Sequence, residues 1–262
     1  MHPPIVLTIA GSDSSGGAGI QADLKTFAAH GCYGISAVTA LTAQNTRGVA
    51  AVHIPPAEFL AQQIDSVLTD FAPQAIKIGM LPDASYVRAV AAALERCGAP
   101  IVLDPVMVAA SGARLTENEA VAAMRRALFP FAALITPNIP EAEALAGIKI
   151  ASEADMLLAA EKINANVLVK GGHVEESGIR HQASGADDLL YYEGRAVWLR
   201  GERVACGETH GTGCTLSSAI ACNLALGHSM EESCRRAKAW LTRLLKEKPD
   251  YGVPNGPLFH RC

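Results

Sequence analysis

The chain has 262 residues, of which 50% are hydrophobic, and its formal net charge is −4. This length suits one large α/β domain or two small ones, and neither the charge nor any apolar run is typical of a nucleic-acid-binding or membrane-spanning protein. The seven cysteines include no C-x-x-C pair and the N-terminal residues 1–13 lack the positive region of a signal peptide, so we expect a cytoplasmic protein with reduced thiols.

Short apolar strands alternate with longer helical patterns along the chain. This alternation predicts an α/β fold with a mainly parallel central sheet and helices on both faces, and we expect a single domain over residues 1–262. In chain order we predict a strand at Ile5–Ala10, a helix at Ile20–His30, a strand at Ile35–Ala43, a helix at Pro56–Phe71, a strand at Ala75–Ile78, a helix at Ala84–Cys97, a strand at Ile101–Leu103, a helix at Glu117–Phe129, a strand at Leu134–Ile135, a helix from Ser152 to Asn164, a strand at Val167–Val169, a hairpin about Glu193-Gly194, and helices at Cys214–Leu226 and Met230–Lys246.

Polar and glycine-rich segments follow the ends of the predicted strands. They read GSDSSGGAG, AQN, GML, DPVM, TPN and KGGH, whereas HGTGC opens a helix. Ligands of open α/β sheets bind beyond the carboxyl ends of the strands. The segments therefore predict one long cleft along a single edge of the sheet.

The first loop contains a formal G-x-G-x-x-A pattern, starting at Gly17. A dinucleotide-binding fold requires an acidic residue at the end of the second strand, but that strand ends at Gln44-Asn45. The chain also lacks the G-x-x-x-x-G-K-[ST] pattern of P-loop proteins and the H-R-D and D-F-G motifs of protein kinases. A nicotinamide-dependent oxidoreductase stays open as an alternative that the missing acidic residue disfavours.

A glycine-rich loop turns into a helix at residues 210–215, which read HGTGCT. Gly211 and Gly213 permit tight turns and a close approach to a ligand. Unpaired N–H groups at a helix N-terminus attract an anion, and the same position would lower the pKa of the Cys214 thiol. We expect a phosphate site here, with the alternative that Cys214 is an inert, small hydrophobic residue.

Two later segments supply groups that suit a metal ion and phosphates. Asn138 and Glu141 offer oxygen ligands for Mg²⁺ or its water shell, although the pair could equally cap a helix. Lys170 ends a strand beside two glycines and is a candidate phosphate-binding cation, and Asp104 ends another strand where carboxylates contact metal or phosphate.

Several segments together resemble the hydroxymethylpyrimidine/phosphomethylpyrimidine kinases of thiamine synthesis, which belong to the ribokinase-like fold. The resemblance runs from about Thr8 to Leu245, with Ser15 standing where we expect glycine. It implies that ATP phosphorylates 4-amino-5-hydroxymethyl-2-methylpyrimidine and then its monophosphate, with Mg²⁺. The segments are GSDSSGGAGIQADLKTFAAHGCYG, TALTAQNTRGV, KIGML, DPVMVAASG, TPNIPEAEAL, LVKGGH and THGTGCTLSSAIA.

The resemblance also implies roles for individual residues. It places Gln44 on the pyrimidine, Glu141 in the Mg²⁺–phosphate region and Cys214 with its two glycines in an anion hole. A homodimer is expected, and pyridoxal kinase activity or a non-catalytic binding relative remain alternatives. The pyrimidine pocket is expected to include Asp23, Gly11, Met80 and Val106, and the nucleotide site Lys170, Asn138, Thr212 and Asp104.

Two roles also follow from the chemistry of the side chains. The Gln44 amide presents a donor beside an acceptor, which matches the ring nitrogen and amino group of an aminopyrimidine edge. An alcohol nucleophile benefits from a base, whereas the oxygen of a phosphate is already largely ionised at pH 7. We therefore predict that Cys214 acts as a base mainly in the first phosphorylation.

Overall fold

A computed structural model describes residues 2–95, 97–107, 118–172, 186–205, 209–253 and 255–261. Its strands are β1 (Ile5–Asp13), β2 (Tyr33–Asn45), β3 (Gly48–His53), β4 (Ala75–Ile78), β5 (Ile101–Leu103), β6 (Ala132–Ile135), β7 (Val167–Val169), β8 (Asp188–Tyr192) and β9 (Arg195–Leu199). Its helices are α1 (Gly19–Ala29), α2 (Ala57–Leu68), α3 (Ala84–Leu94), α4 (Asn118–Ala127), α5 (Ile139–Ala146), α6 (Glu153–Ile163), α7 (Thr212–Ala225) and α8 (Met230–Lys246), with a 3₁₀ turn at Phe129–Phe131.

These strands form one sheet in the order β3-β2-β1-β4-β5-β6-β7-β8-β9. The six central strands, in the order β2-β1-β4-β5-β6-β7, are parallel to one another. The strand β3 at one edge and β8 and β9 at the other pair antiparallel to their neighbours. The predicted mainly parallel sheet is therefore confirmed. The strand β1 is flanked by β2 on one side and by β4 on the other, so the strand order reverses at β1. Ligands of such sheets bind at this reversal.

Apolar side chains cover both faces of the sheet, as predicted. Along β1, Leu7 and Ile9 point into one core while Val6 points into the other. The first core also contains residues of α2 to α6, and the second contains residues of α1, α7 and α8. Two layers of helices thus enclose the sheet.

Local sequence signals explain several helix ends. The Asp83 side chain accepts hydrogen bonds from the first turn of α3, and the Ser152 side chain accepts one from Asp155 N–H at the start of α6. The helix α6 ends at Asn164 in the left-handed conformation. These are capping positions that the sequence shows directly.

Several elements differ from the sequence-based expectation. The strand β1 continues to Asp13 and β2 to Asn45, because the two strands remain paired beyond a bulge near Ala10. The strand β3 was not predicted, since its side chains are largely exposed and show no alternation of apolar and polar residues. Residue Glu117, the expected start of α4, lies outside the described residues.

None of the helices in the described part of the chain combines the length and apolar character that a membrane crossing requires.

Candidate active site

Two residues that the sequence singles out lie together at the ends of β1 and β4, beside the crevice that the reversal of strand order predicts. Met80 follows β4 and is buried, and its sulfur lies 3.3 Å from where a β-carbon at Gly11 would be. A side chain at residue 11 would therefore press on Met80. The two residues meet at the reversal of strand order, where a ligand is expected.

The loop after β1 is organised by one buried carboxylate. Asp13 accepts hydrogen bonds from the backbone N–H groups of Ser15, Gly17 and Ala18, and from the Ser15 hydroxyl. Burial alone would raise its pKa, but the hydrogen bonds from His210 and the loop lower the pKa of Asp13 to about 2. The carboxylate is therefore ionised and holds the loop in one conformation.

This loop packs directly on the start of α7. A β-carbon at Gly211 would lie 1.8 Å from the Gly17 carbonyl oxygen, and Gly211 has a φ of 84°, so only glycine fits. The Gly19 backbone N–H, at the start of α1, lies close enough to the Cys214 thiol to lower its pKa. Two helix N-termini therefore converge on one point.

The start of α7 has no side-chain cap. Gly211 is the N-cap, and the first turn contains no acidic residue. Thr212 and Gly213 are both half-buried, so their backbone N–H groups lie at the accessible, electropositive end of a helix. This arrangement suits the anion site expected from HGTGCT.

The Cys214 thiol differs from the sequence-based expectation. Burial raises its pKa above its ordinary value, and the nearby Lys77 ammonium offsets this only in part. The expected stabilisation of a thiolate is therefore wrong for the protein without substrate, because desolvation outweighs the cation. Cys214 is a neutral, half-buried thiol in this state.

A charged cluster lies beside the start of α7. Lys170 Nζ is 2.8 Å from Asp104 Oδ1, which also accepts a hydrogen bond from the Thr136 hydroxyl at 3.0 Å. A β-carbon at Gly213 would lie 3.3 Å from Lys170 Nζ and 3.5 Å from Asp104 Oδ2. The sequence motifs DPVM, KGGH and HGTGC thus meet in space.

Glu141 combines a capping role with an electrostatic one. Asn138 and Glu141 form a reciprocal capping box at the start of α5, with hydrogen bonds of 2.8 and 2.9 Å. The carboxylate is nevertheless buried, which raises the pKa of Glu141 to about 7, even though Lys170 lowers it. A buried carboxylate of this kind favours an additional cation.

The donor set fits a magnesium ion that shares its ligands with phosphates. Among the described residues, no three His, Cys, Asp or Glu side chains form a metal-binding group. Mg²⁺ in nucleotide sites typically uses one or two carboxylates and completes its shell with water and phosphate oxygens. Glu141 offers such a carboxylate, since among the described residues its Oε1 accepts a single long hydrogen bond of 3.3 Å, from Met107 N–H.

Gln44 lies at the other end of the crevice, at the edge of the first loop. Its backbone N–H and carbonyl oxygen both bond to the Ser14 hydroxyl, at 2.9 and 2.8 Å. Its half-buried side chain contacts Thr42 and His210. Val106, also expected in the pocket, is half-buried after β5.

Asp23 requires a correction. Its side chain is fully buried, and its carboxylate is bonded to Lys77 and to the hydroxyls of Thr8 and Ser218. A group enclosed in this way does not line an open pocket, so Asp23 lies behind the site and does not contact the pyrimidine. Cys206, eight residues before Cys214, lies outside the described residues.

Comparison with known proteins identifies the family. The family model for phosphomethylpyrimidine kinase matches residues 13–259. The chain belongs to the phosphomethylpyrimidine kinase family. It is 46% identical over 263 residues to the hydroxymethylpyrimidine/phosphomethylpyrimidine kinase of Rhizobium meliloti, covering 98% of this chain and 96% of that protein.

Other relatives of the family show how this fold is used. A bifunctional thiamine biosynthesis protein of Geobacter sulfurreducens is 45% identical over 260 residues, and the chain spans 52% of its length. The structure of Bacillus subtilis pyridoxal kinase with ADP is 34% identical, with a TM-score of 0.87, over 98% of this chain and 97% of that one. The ribokinase-like fold and the small-molecule kinase class are therefore confirmed.

Sequence reasoning about this family member missed two residues of the site region, Lys77 and Asp13, and left open whether His210 faces the site or solvent. Lys77 interrupts the otherwise apolar strand AIKI, and a charged residue at a buried strand position is a usable signal. Asp13 is the acidic residue of the first loop, and His210 precedes Gly211; neither shows in the sequence which partner it contacts.

Proposed function

We propose that the protein phosphorylates 4-amino-5-hydroxymethyl-2-methylpyrimidine on its hydroxyl and then converts the monophosphate to the diphosphate, using ATP. The observation that carries the proposal is the convergence of Lys170, Glu141 and the uncapped start of α7 at one end of the crevice. Gln44 lies at the other end, beside the first loop. The names of the relatives support the same reaction.

Phosphoryl transfer needs positioned reactants, cations near the phosphates and donors aimed at the transferring group. The backbone N–H groups of Gly211, Gly213 and Cys214 would bind the transferring phosphoryl group. Lys170 would neutralise phosphate charge, and its pairing with Asp104 fixes the position of its ammonium. Asn138 would maintain the start of α5, and hence Glu141, in register with this cluster.

Glu141 is the residue that we propose holds Mg²⁺, directly or through its water shell. When bound, the ion would neutralise and orient phosphate oxygens. Glu141 must be ionised for this role, and its buried position makes an added cation favourable.

We place the nucleoside of ATP in a concavity next to the HGTGC loop. Its lining includes Val204 and Ala205 after β9 and Lys248 and Tyr251 after α8. Lys248 also bonds to the hydroxyl of Thr209, which precedes the loop. A nucleoside there would direct its phosphates towards Thr212 and the start of α7.

Pyridoxal kinase activity is the second candidate, since a pyridoxal kinase shares the fold at 34% identity. Pyrimidine kinase activity is favoured because the hydroxymethylpyrimidine/phosphomethylpyrimidine kinase relative is 46% identical to this chain. The test is ADP release by the pure protein with ATP, Mg²⁺ and, separately, the pyrimidine alcohol, its monophosphate or pyridoxal. Turnover of pyridoxal without turnover of the pyrimidines would overturn the proposal.

A pair of lysine variants makes this test specific for the site. Lys170→Met should abolish turnover of both pyrimidines. Lys149→Met is the matched control, because the Lys149 side chain is 89% exposed and pairs with Glu143, and it should retain activity. Equal activity of the two variants would remove Lys170 from the phosphate site.

We also propose a homodimer that works in the reducing cytoplasm. Apolar side chains are exposed along the β2–β3 edge and α2, at Leu41, Val52, Ile54 and Phe59. The described cysteines are all free thiols, which suits a reducing compartment. Light scattering at micromolar concentration should give twice the mass of one chain, and a single-chain mass would refute the dimer.

A further inference from the structure

His210 connects three parts of the crevice that are distant in sequence. Its Nε2 lies 2.8 Å from Asp13 Oδ2 and 3.2 Å from the Gln44 carboxamide atom assigned as Nε2. It also immediately precedes Gly211, the N-cap of α7. One imidazole nitrogen thus joins the first loop to the side chain proposed to recognise the substrate.

The imidazole ring has little freedom to move. His210 is 7% exposed, and a β-carbon at Gly17 would lie 2.6 Å from its Cδ2, so the ring packs against the bare backbone of the first loop. The backbone of His210 also bridges to Pro257. Asp13, its partner, is itself fixed by the backbone N–H groups of Gly17 and Ala18.

The contact with Asp13 shows that His210 Nε2 carries a hydrogen. A carboxylate oxygen only accepts, so at 2.8 Å the His210 Nε2 must carry a hydrogen and donate it to Asp13. The same nitrogen has no lone pair left for Gln44. The carboxamide atom that faces it, assigned as Nε2, must therefore be the acceptor Oε1, so the amide is turned by about 180° from its assigned orientation.

The other end of the Gln44 carboxamide gives the same answer. The Thr42 hydroxyl donates its single hydrogen to the Ser12 carbonyl oxygen at 2.8 Å, so at its 3.3 Å contact with the Gln44 atom assigned as Oε1 it can only accept. A donor must face it, which is the amide nitrogen. The oxygen and the nitrogen of a carboxamide have nearly the same shape. The donors and acceptors that surround them therefore decide between the two orientations.

We propose that Asp13, His210 and Thr42 form an orienting set that locks the Gln44 carboxamide with Oε1 towards His210 and Nε2 towards Thr42. One N–H and one lone pair remain for the substrate. On the proposed function, on which this inference rests, the lone pair accepts from the exocyclic amino group and the N–H donates to the adjacent ring nitrogen. His210 is thus a positioning residue that acts through Gln44.

The lock provides selectivity that a free glutamine lacks. An oxo analogue, with a carbonyl and a ring N–H in place of the amino group and ring nitrogen, presents the opposite pattern. A free carboxamide could turn to match it, but a locked one meets the carbonyl with its own oxygen. The set therefore selects aminopyrimidines over oxopyrimidines.

The test compares kcat/KM for the aminopyrimidine alcohol and its oxo analogue. The wild-type protein should prefer the amino compound. His210→Phe and Thr42→Val, which remove the lock at opposite ends, should each reduce this preference by about tenfold, mainly through KM and with kcat little changed. His210→Gln retains an N–H donor for Asp13, so this variant should keep much of the wild-type preference that His210→Phe loses.

Two results would overturn the inference. One is an equal loss for both analogues with the preference unchanged, which is what damage to the loop alone would cause. The other is a full His210→Phe effect in a Gln44→Ala background, where a residue that acts through Gln44 should have none. Thermal melting of each variant shows whether it is folded. If His210→Phe does not fold, the single variants His210→Gln and Thr42→Val provide the test.

A neutron structure of the unliganded protein separates this inference from the proposed function. It should show deuterium on His210 Nε2 and the Gln44 amide deuterons directed at Thr42. Amide deuterons directed at His210 would overturn the orientation, whatever the substrate is. Failure to phosphorylate the pyrimidine with the expected deuterons in place would instead refute the proposed function alone.

Discussion

Lys77 and Asp23 form an ion pair that is completely enclosed by the protein. The ammonium nitrogen lies 2.9 Å from each carboxylate oxygen, and neither side chain is exposed. The hydroxyls of Thr8 and Ser218 donate to the same carboxylate at 2.6 and 2.7 Å. The group connects β1, α1, β4 and α7 beneath the site, and Lys77 contributes positive charge close to Cys214.

The first prediction concerns the stability of this pair. Asp23→Asn or Lys77→Met leaves one buried charge without its partner and should reduce the free energy of unfolding by about 3–5 kcal/mol. The double variant Asp23→Leu with Lys77→Met removes both charges and should recover most of that loss. Urea unfolding measures the three variants, and a double variant as unstable as the sum of the singles would contradict the prediction.

The second prediction separates the two reactions at Cys214. Cys214→Ala and Cys214→Ser should slow phosphorylation of the alcohol by about 10²–10⁴-fold, since its proton needs a base, and should affect the monophosphate much less. Turnover of each acceptor is measured separately. Similar losses for both acceptors, or none, would show that only the backbone N–H of Cys214 is used.

The raised pKa of Cys214 adds a pH dependence to this prediction. Burial raises the pKa above its ordinary value of 9.0, so only a small fraction of the thiol is ionised at neutral pH. If the thiolate is the base, the rate with the alcohol should rise with pH through pH 9, and the rate with the monophosphate should not. In Cys214→Ala the rise should be absent, and a rise that persists would assign it to another group.

The third prediction concerns Glu141, whose pKa is raised by burial from 4.5 to about 7. Below pH 4.5 the group is protonated in both the folded and unfolded protein, so it carries no penalty. Between pH 4.5 and 7 the folded protein binds more protons, and stability falls as pH rises through this window, by up to about 3 kcal/mol. Chemical unfolding in a chelator at pH 5 and pH 8 measures this loss.

Glu141→Gln provides the matched variant for this measurement. Glutamine retains the capping box but cannot ionise, so the variant should be more stable than wild type at pH 8 and equally stable at pH 4. Its turnover should nevertheless fall by at least about tenfold, with a higher Mg²⁺ requirement. Unchanged turnover and an unchanged Mg²⁺ requirement would remove Glu141 from the metal site.

The fourth prediction concerns substrate binding by Gln44. Gln44→Ala should weaken binding of the pyrimidine alcohol by about 1–3 kcal/mol, because polar groups of the buried ligand lose their partner. Gln44→Glu replaces a donor with an acceptor and should bind more weakly still. Titration calorimetry measures both variants, and unchanged affinities would show that the Gln44 side chain does not contact the ligand.

Local signals in the sequence determined most of the fold. Alternating strands and helices predicted the parallel sheet, and capping residues such as Ser152 marked helix ends, because these features depend on neighbours a few residues away. The strand β3 was missed, since its exposed side chains carry no periodic apolar pattern and only pairing with β2 makes it a strand.

The sequence alone also identified the motifs of the site, because each is a short run whose chemistry can be read from its residue types. Only the tertiary structure decided their electrostatics and contacts. Asp23 became a buried partner of Lys77, Cys214 became a neutral thiol, and His210 met Asp13, 197 residues away in the chain. Burial and charge at these positions arise from residues distant in sequence, so no local pattern encodes them.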